Sequence, residues 1–321
     1  MTDSFTQPPK VIIDTDPGID DCAAILFALG LEKMGLLKLL ALTTVAGNVP
    51  LKYSQKNARI ICDWAHRSDI PVYAGSAEPI IKPLITADDV HGSTGLGDAT
   101  LHEPYTHLQE QSAITFLTNT LVNAPKNSIT LCAIGPLTNI ALALKTNPDC
   151  KQGIKELVIM GGSYLTLGNI TPNAEFNFFI DPIASKIILE SELPIRIFPL
   201  DITHKVCITT PRINQLRQLP NQNGSRIANL LQNYSRYDIE KLGLEGGSLH
   251  DPCTIGYIAK PDLFTAKSIF ADIETNHGLM EGAMQVDWNQ KLNKKPNVDW
   301  FYKVKTDAFF DLFTQAISRL P

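Results

Sequence analysis

The stretch Asp14-Thr15-Asp16-Pro17-Gly18-Ile19-Asp20-Asp21 places four carboxylates in eight residues. It follows the β-branched run Val11-Ile12-Ile13 and precedes the apolar run Cys22-Ala23-Ala24-Ile25-Leu26-Phe27-Ala28-Leu29. That order predicts a strand, a tight turn at Pro17-Gly18, and a helix. The carboxylates then stand where a strand ends and a helix begins, the edge at which open α/β sheets bind ligands. Four like charges so close need compensation. The helix N-terminus could provide it for Asp20 and Asp21 as capping groups. Asp14 and Asp16, at the end of a buried strand, need something more. A divalent cation would serve, and an all-oxygen set suits Ca²⁺ or Mg²⁺ better than zinc.

Outward from this stretch the chain alternates. Residues 38–46 (KLLALTTVA) predict a second buried strand ending at Gly47-Asn48, and residues 53–66 have helical spacing. Short strands are expected at 71–75, 129–134, 154–160 and 195–200, with helices at 111–123, 137–145 and 183–190. This order predicts a single α/β domain over residues 1–321. Its sheet is mainly parallel, doubly wound and Rossmann-like, with helices on both faces and the active site at the strand C-terminal ends. Beyond Asp201 the pattern changes. Residues 209–242 look helical twice, His250-Asp251-Pro252 opens another helix, and 268–286 suggests an antiparallel pair. Residues 298–304 predict a late strand and 308–320 a closing helix. Residues 76–110, rich in turn formers and carrying His91-Gly92-Ser93-Thr94-Gly95-Leu96-Gly97, predict a long surface segment. Its glycines suit either a mobile loop or close approach to a ligand.

Composition narrows the class. With 321 residues, 44% hydrophobic and 19% charged, the chain can bury a large core as a soluble enzyme does. Net charge is −5, from 28 basic and 33 acidic residues, with no basic block, so nucleic acid is not an expected partner. No run reaches the ~18 apolar residues of a membrane span, and residues 1–10 have no signal-peptide core. The six cysteines form no CxxC pair, and a reduced cytoplasm is the simplest setting.

Polar groups recur at the expected strand ends: Asn48, the Gly135 turn, the segment Gly168-Asn169-Ile170-Thr171-Pro172-Asn173-Ala174-Glu175-Phe176-Asn177, and His250-Asp251. Amides beside a carboxylate are good fixed partners for hydroxyl groups. Taken alone, each could equally be an ordinary polar loop.

Together these residues resemble the inosine-uridine-preferring nucleoside hydrolases. The resemblance begins at Asp14-Thr15-Asp16-Pro17-Gly18-Ile19-Asp20-Asp21 and runs in order through Thr43-Thr44-Val45-Ala46-Gly47-Asn48, His91-Gly92 and Gly135-Pro136-Leu137-Thr138-Asn139. It continues through Met160-Gly161-Gly162, Ala174-Glu175-Phe176-Asn177 and His250-Asp251-Pro252-Cys253. It implies hydrolysis of the N-glycosidic bond of ribonucleosides to free base and ribose, in nucleoside salvage. It implies Ca²⁺ held by Asp16, Asp21, Asp251 and the main-chain oxygen of Ile134, with Asp14 supporting the ligands. Asp20 would be the base for a calcium-activated water and His250 the leaving-group acid. Asn48, Asn169, Glu175 and Asn177 would hold the water or the ribose hydroxyls. His91, Tyr234 and Tyr237 are candidates to touch the base. A homo-oligomer, dimer or tetramer, is implied too. Two other activities stay open on the residues themselves. Asp14-Thr15-Asp16 is similar to the nucleophile motif of a metal-dependent phosphohydrolase, although no lysine stands in an evident phosphate motif. A non-catalytic nucleoside or sugar binder would not need Asp20 in addition to the ligands.

Overall fold

The buried hydrophobic runs become the strands of one sheet. In the computed structural model, residues 7–321 are described, except for the side chains of Arg236, Tyr237 and Lys241, so the expected contact of Tyr237 with the base lies outside the described residues. The strands are β1 (Lys10–Thr15), β2 (Lys38–Thr44), β3 (Val72–Ala74), β4 (Ile129–Ala133), β5 (Ile154–Met160) and β6 (Ile195–Phe198). They continue as β7 (Cys207–Ile208), β8 (Gly247–Ser248), β9 (Phe264–Ile269), β10 (Ala271–Ile273), β11 (Met284–Val286) and β12 (Val298–Val304). Eight of these form the main sheet, in the order β3-β2-β1-β4-β5-β6-β12-β9. All neighbours in it are parallel except β9, which runs antiparallel to β12. Five of the six residues of β1 are buried, as expected of a central parallel strand covered on both faces. The order reverses around β1, whose neighbours are β2 on one side and β4 on the other. That is the switch point at which such sheets bind ligands, and it lies directly beneath the aspartate-rich turn.

Two apolar layers flank the sheet. On one, the helix Ile19–Lys33 packs with Pro252–Ala259 and Thr306–Ile317, where Phe27 meets the edges of Phe309 and Phe313. On the other, Thr138–Thr146 and Pro182–Leu189 cover β4, β5 and β6. No helix of the described residues is long and apolar enough to cross a membrane.

The structure differs from the sequence-based expectation in two places. The antiparallel pair expected at 268–286 is present as β10 with β11, but the strand before it, β9, was not expected and joins the main sheet as an antiparallel edge strand. Residues 76–110 do not simply run over the surface. A short helix, Asp88–His91, sits inside the segment, and His91 and Leu96 are buried. One anchor is Asn57, whose side-chain amide donates to the carbonyl oxygens of both Pro17 and Thr94. It ties this strap to the aspartate-rich turn.

Candidate active site

The turn between β1 and the helix Ile19–Lys33 is held by its own carboxylates. Asp21 accepts hydrogen bonds from Thr15 Oγ1 at 2.5 Å, from the Gly18 N–H at 3.0 Å and from Asn48 Nδ2 at 3.1 Å. The capping expected of Asp21 therefore exists, in a turn that Asn48 reaches from the end of β2. The Asn48 backbone N–H donates to Asp16 Oδ2 at 2.6 Å. Asp16 Oδ1 is buried without a partner. A Cβ at Gly135 would lie 2.5 Å from that oxygen, and one at Gly47 would collide with Asp16 Oδ2. The two glycines at the ends of β2 and β4 thus let the chain close around the Asp16 carboxylate.

Asp14 lies one layer below. Its Oδ2 accepts from Thr43 Oγ1 at 2.5 Å and Asn139 Nδ2 at 2.9 Å, which joins β1, β2 and the helix Thr138–Thr146 beneath the site. Its Oδ1 is also buried and unpartnered.

The other end of the chain supplies Asp251, at the start of the helix Pro252–Ala259. Carboxylate oxygens of Asp20, Asp21 and Asp251 lie within 4.8 Å of one another, and all three residues are buried. Burial raises the carboxyl pKa of Asp16, Asp20 and Asp251 well above the ordinary range, and neighbouring aspartates raise them further. Burial raises Asp21 also, opposed by its hydrogen bonds. Crowded, dehydrated carboxylates hold protons unless a cation replaces them. An orphaned oxygen and an all-oxygen donor set fit a hard divalent cation.

The remaining expected residues line the same cavity, together with Ile134 beyond the end of β4. Asn177 Nδ2 donates to the carbonyl oxygens of Ile134 and Met160, both at 3.2 Å, and so bridges the ends of β4 and β5. Glu175 caps the helix Phe176–Ile180. Its oxygens accept the N–H groups of Asn177 at 3.0 Å and Gly162 at 2.9 Å, and burial pushes its carboxyl up to about 7. Asn169 is exposed at the cavity rim, where its Oδ1 accepts from the Phe176 N–H at 2.9 Å. His91 Nδ1 accepts the Ile19 N–H at 3.1 Å, and its ring stacks on Tyr234 at 5.7 Å. His250 Nδ1 lies 2.7 Å from Thr203 Oγ1.

Among the residues at this cavity that the sequence did not single out for it are two with titratable side chains near His250, and a third lies behind His250. His204 and Asp238 line it directly, and Thr203 orients His250. Asp238 stands four residues after Tyr234 on one helix, so the two share a face. That spacing was visible in the sequence. His204 follows the end of β6, but only the short helix Leu200–Thr203 turns it inward. A larger cleft of about 610 Å³, lined by Trp64, Arg226 and Asn233, lies elsewhere along the helix Gln222–Leu242 and lacks the carboxylate cluster.

The sequence model of the inosine-uridine preferring nucleoside hydrolase family matches residues 11–311, which contain every part of this site. The chain belongs to that family. It is therefore a hydrolase acting on N-glycosyl compounds. The chain is 42% identical over 312 residues to an uncharacterized protein of Schizosaccharomyces pombe, covering 97% of this chain and 100% of that protein. It is 37% identical over 310 residues to the pyrimidine-specific ribonucleoside hydrolase RihA of an Enterobacter species, covering 96% and 97%. Among solved structures, a plant nucleoside hydrolase superposes with a TM-score of 0.89 at 31% identity, over 97% of this chain and 99% of that one. In this nucleoside hydrolase the aspartate-rich turn, the amide-bearing loop and His250 converge on one cavity.

Proposed function

We propose that the protein hydrolyses ribonucleosides to free base and ribose at this cavity, as one domain over residues 1–321, with Ca²⁺ as its resident metal. The observation that carries the proposal is the meeting of Asp20, Asp21 and Asp251 from opposite ends of the chain, within 4.8 Å and buried. The side chains of Asp16, Asp21 and Asp251 and the Ile134 carbonyl oxygen would hold the ion, with Asp14 fixing the layer below. When bound, calcium supplies a Lewis acid that acidifies water and orients a diol.

The chain's own residues do the rest. Asp20 takes the proton of the attacking water. Cleavage of an N-glycosidic bond passes through an oxocarbenium-like sugar, which the surrounding carboxylates favour. Asn48, Asn169, Glu175 and Asn177 hold the ribose hydroxyls, and Asn177 and Glu175 are pre-set by their backbone contacts. His91 lies against the substrate on the Tyr234 side. With Thr203 donating to Nδ1, His250 carries its proton on Nε2, from which it donates to the departing base.

Asp20 shares the carboxylate cluster with Asp21 and Asp251, while Asp16 brings an unpartnered oxygen. Ligand and base are therefore separated by experiment: Asp16→Ala should lose metal, and Asp20→Ala should keep it. The opposite pattern exchanges the two roles. The proposal extends to a cytoplasmic homo-oligomer working in nucleoside salvage. Its test is release of free ribose from inosine, uridine, cytidine and adenosine. Release of ribose from none of the four would refute it.

A further inference from the structure

Besides Thr86 and Asp89 on the strap, the candidate mechanism leaves two polar residues of the cavity, Asp238 and His204, without a task. Asp238 is only 6% exposed, and among the described residues its recorded side-chain partner is the Ser248 N–H, at 2.7 Å from Oδ2. One backbone amide accounts for one oxygen of a carboxylate, leaving the acceptor capacity of Oδ1. His204 lines the same cavity, and its Nε2 is buried with no partner. Asp238 and His204 thus line one cavity, and the charges of Asp238 and Asp201 oppose the burial that depresses the His204 imidazole. The His204 ring stands edge-on to His250 at 5.6 Å. Asp238 shares a helix face with Tyr234, which stacks on His91. Four rings and one carboxylate thus gather on the part of the cavity that holds His250, the residue assigned to the departing base.

We infer that Asp238 and His204 read the ring edge of the nucleobase, Asp238 accepting a base N–H and His204 bonding the adjacent ring atom through Nε2. This rests on the hydrolase reading above and specifies its substrate class: bases that present an N–H donor beside an acceptor. Uracil and hypoxanthine offer an imino N–H beside a carbonyl oxygen, and cytosine and adenine an amino group beside a ring nitrogen. An imidazole supplies either partner by choice of tautomer. A base lacking the donor leaves the Asp238 carboxylate dehydrated and unpaired, and sites built on such bonds reject analogues strongly.

The test compares kcat/KM within substrate pairs: uridine with 3-methyluridine, inosine with 1-methylinosine, and cytidine with 2-pyrimidinone riboside. The last pair removes the donor without adding bulk. The expected wild-type preference for the donor-bearing member is roughly 10²-fold or more. In Asp238→Ala each preference should shrink by at least about tenfold. Asp238→Asn keeps an acceptor for Ser248 and the shape of the site, and should show the same relaxation without a fall in Tm. A purely structural Asp238 would lower both members of each pair equally, leaving the ratios unchanged, and that result overturns the inference. Failure of the wild-type protein to release ribose from any substrate would instead overturn the hydrolase reading, and this inference with it.

Discussion

The backbone N–H of Ile19 donates to Nδ1 of His91 at 3.1 Å, across a sequence separation of 72 residues. This bond docks the strap that carries His91 onto the first turn of the helix that carries Asp20 and Asp21. It also fixes the ring as the Nε2–H tautomer, and burial pushes the imidazole down to about 4, so it stays neutral through the physiological range. His91→Ala would leave a buried N–H unpaired and remove the stack on Tyr234. The expected loss is about 1–3 kcal/mol in urea unfolding, together with a raised KM. Unchanged stability would show that the strap is held by its other contacts, those of Asn57 and Asp63 among them.

A second prediction concerns the buried carboxylates when metal is removed. Asp14 rises from 3.8 to about 7 and Glu175 from 4.5 to about 7, so the folded chain holds protons there that the unfolded chain has released. Stability from such groups is fully present below the unfolded pKa and is lost as pH rises through the folded one. His91 acts in the opposite sense, but only between about 4 and 6.5. From pH 6.5 to 8 the carboxylates decide the sign. Chelated protein should therefore lose Tm over that range, and calcium should raise Tm more at pH 8 than at pH 6. A chelated Tm that rises with pH would contradict this.

Much of this site could be read from the chain because strand ends are marked by residue type. The run Val11-Ile12-Ile13 fixed β1, and the turn formers Pro17-Gly18 placed Asp16 and Asp20 at its edge. Asn48, Glu175 and Asn177 followed from the same strand-end argument. Asp238 escaped it because its spacing from Tyr234 shows a shared face but not which way that face turns; packing of the helix Gln222–Leu242 against Ile19–Lys33 decides that. His204 escaped because the short helix Leu200–Thr203 that turns it inward was not expected. The strap 76–110 escaped for a related reason. Its burial depends on long-range anchors, Asn57 at Thr94, the Ile19 N–H at His91 and Asp63 at Tyr105 and Thr106, and not on its own periodicity. Beyond Asp201 the strand β9 was not expected as an element of its own, since short half-buried edge strands carry weak alternation.

Asp20→Ala should reduce turnover of uridine or inosine by ~10²–10⁴-fold with metal content unchanged, the usual effect of losing a general base. Near-normal turnover would remove Asp20 from that role. Metal analysis of Asp16→Ala and Asp20→Ala in parallel then decides which of the two is a ligand.

His250→Ala should act through the leaving group. A nucleobase anion departs poorly from ribose, and a donor at Nε2 lowers that barrier by ~3–5 kcal/mol, or ~10²–10⁴-fold in rate. The variant should be crippled on inosine or uridine and spared on p-nitrophenyl riboside, whose leaving group is stable as an anion. Asp20→Ala should impair both substrates, because both need the activated water. Metal content must be checked in each, since Asp251 is adjacent. Equal losses on both substrates with metal retained would remove His250 as the leaving-group donor.

The most direct measurement is ribose release from uridine and inosine by protein stripped with a chelator, then titrated with calcium, alongside Asp21→Asn. The account predicts negligible release from stripped protein, recovery on adding calcium, and a higher calcium requirement for Asp21→Asn, which loses a charge and one bidentate option. Full ribose release by the stripped enzyme, unaffected by added calcium or by Asp21→Asn, would contradict it.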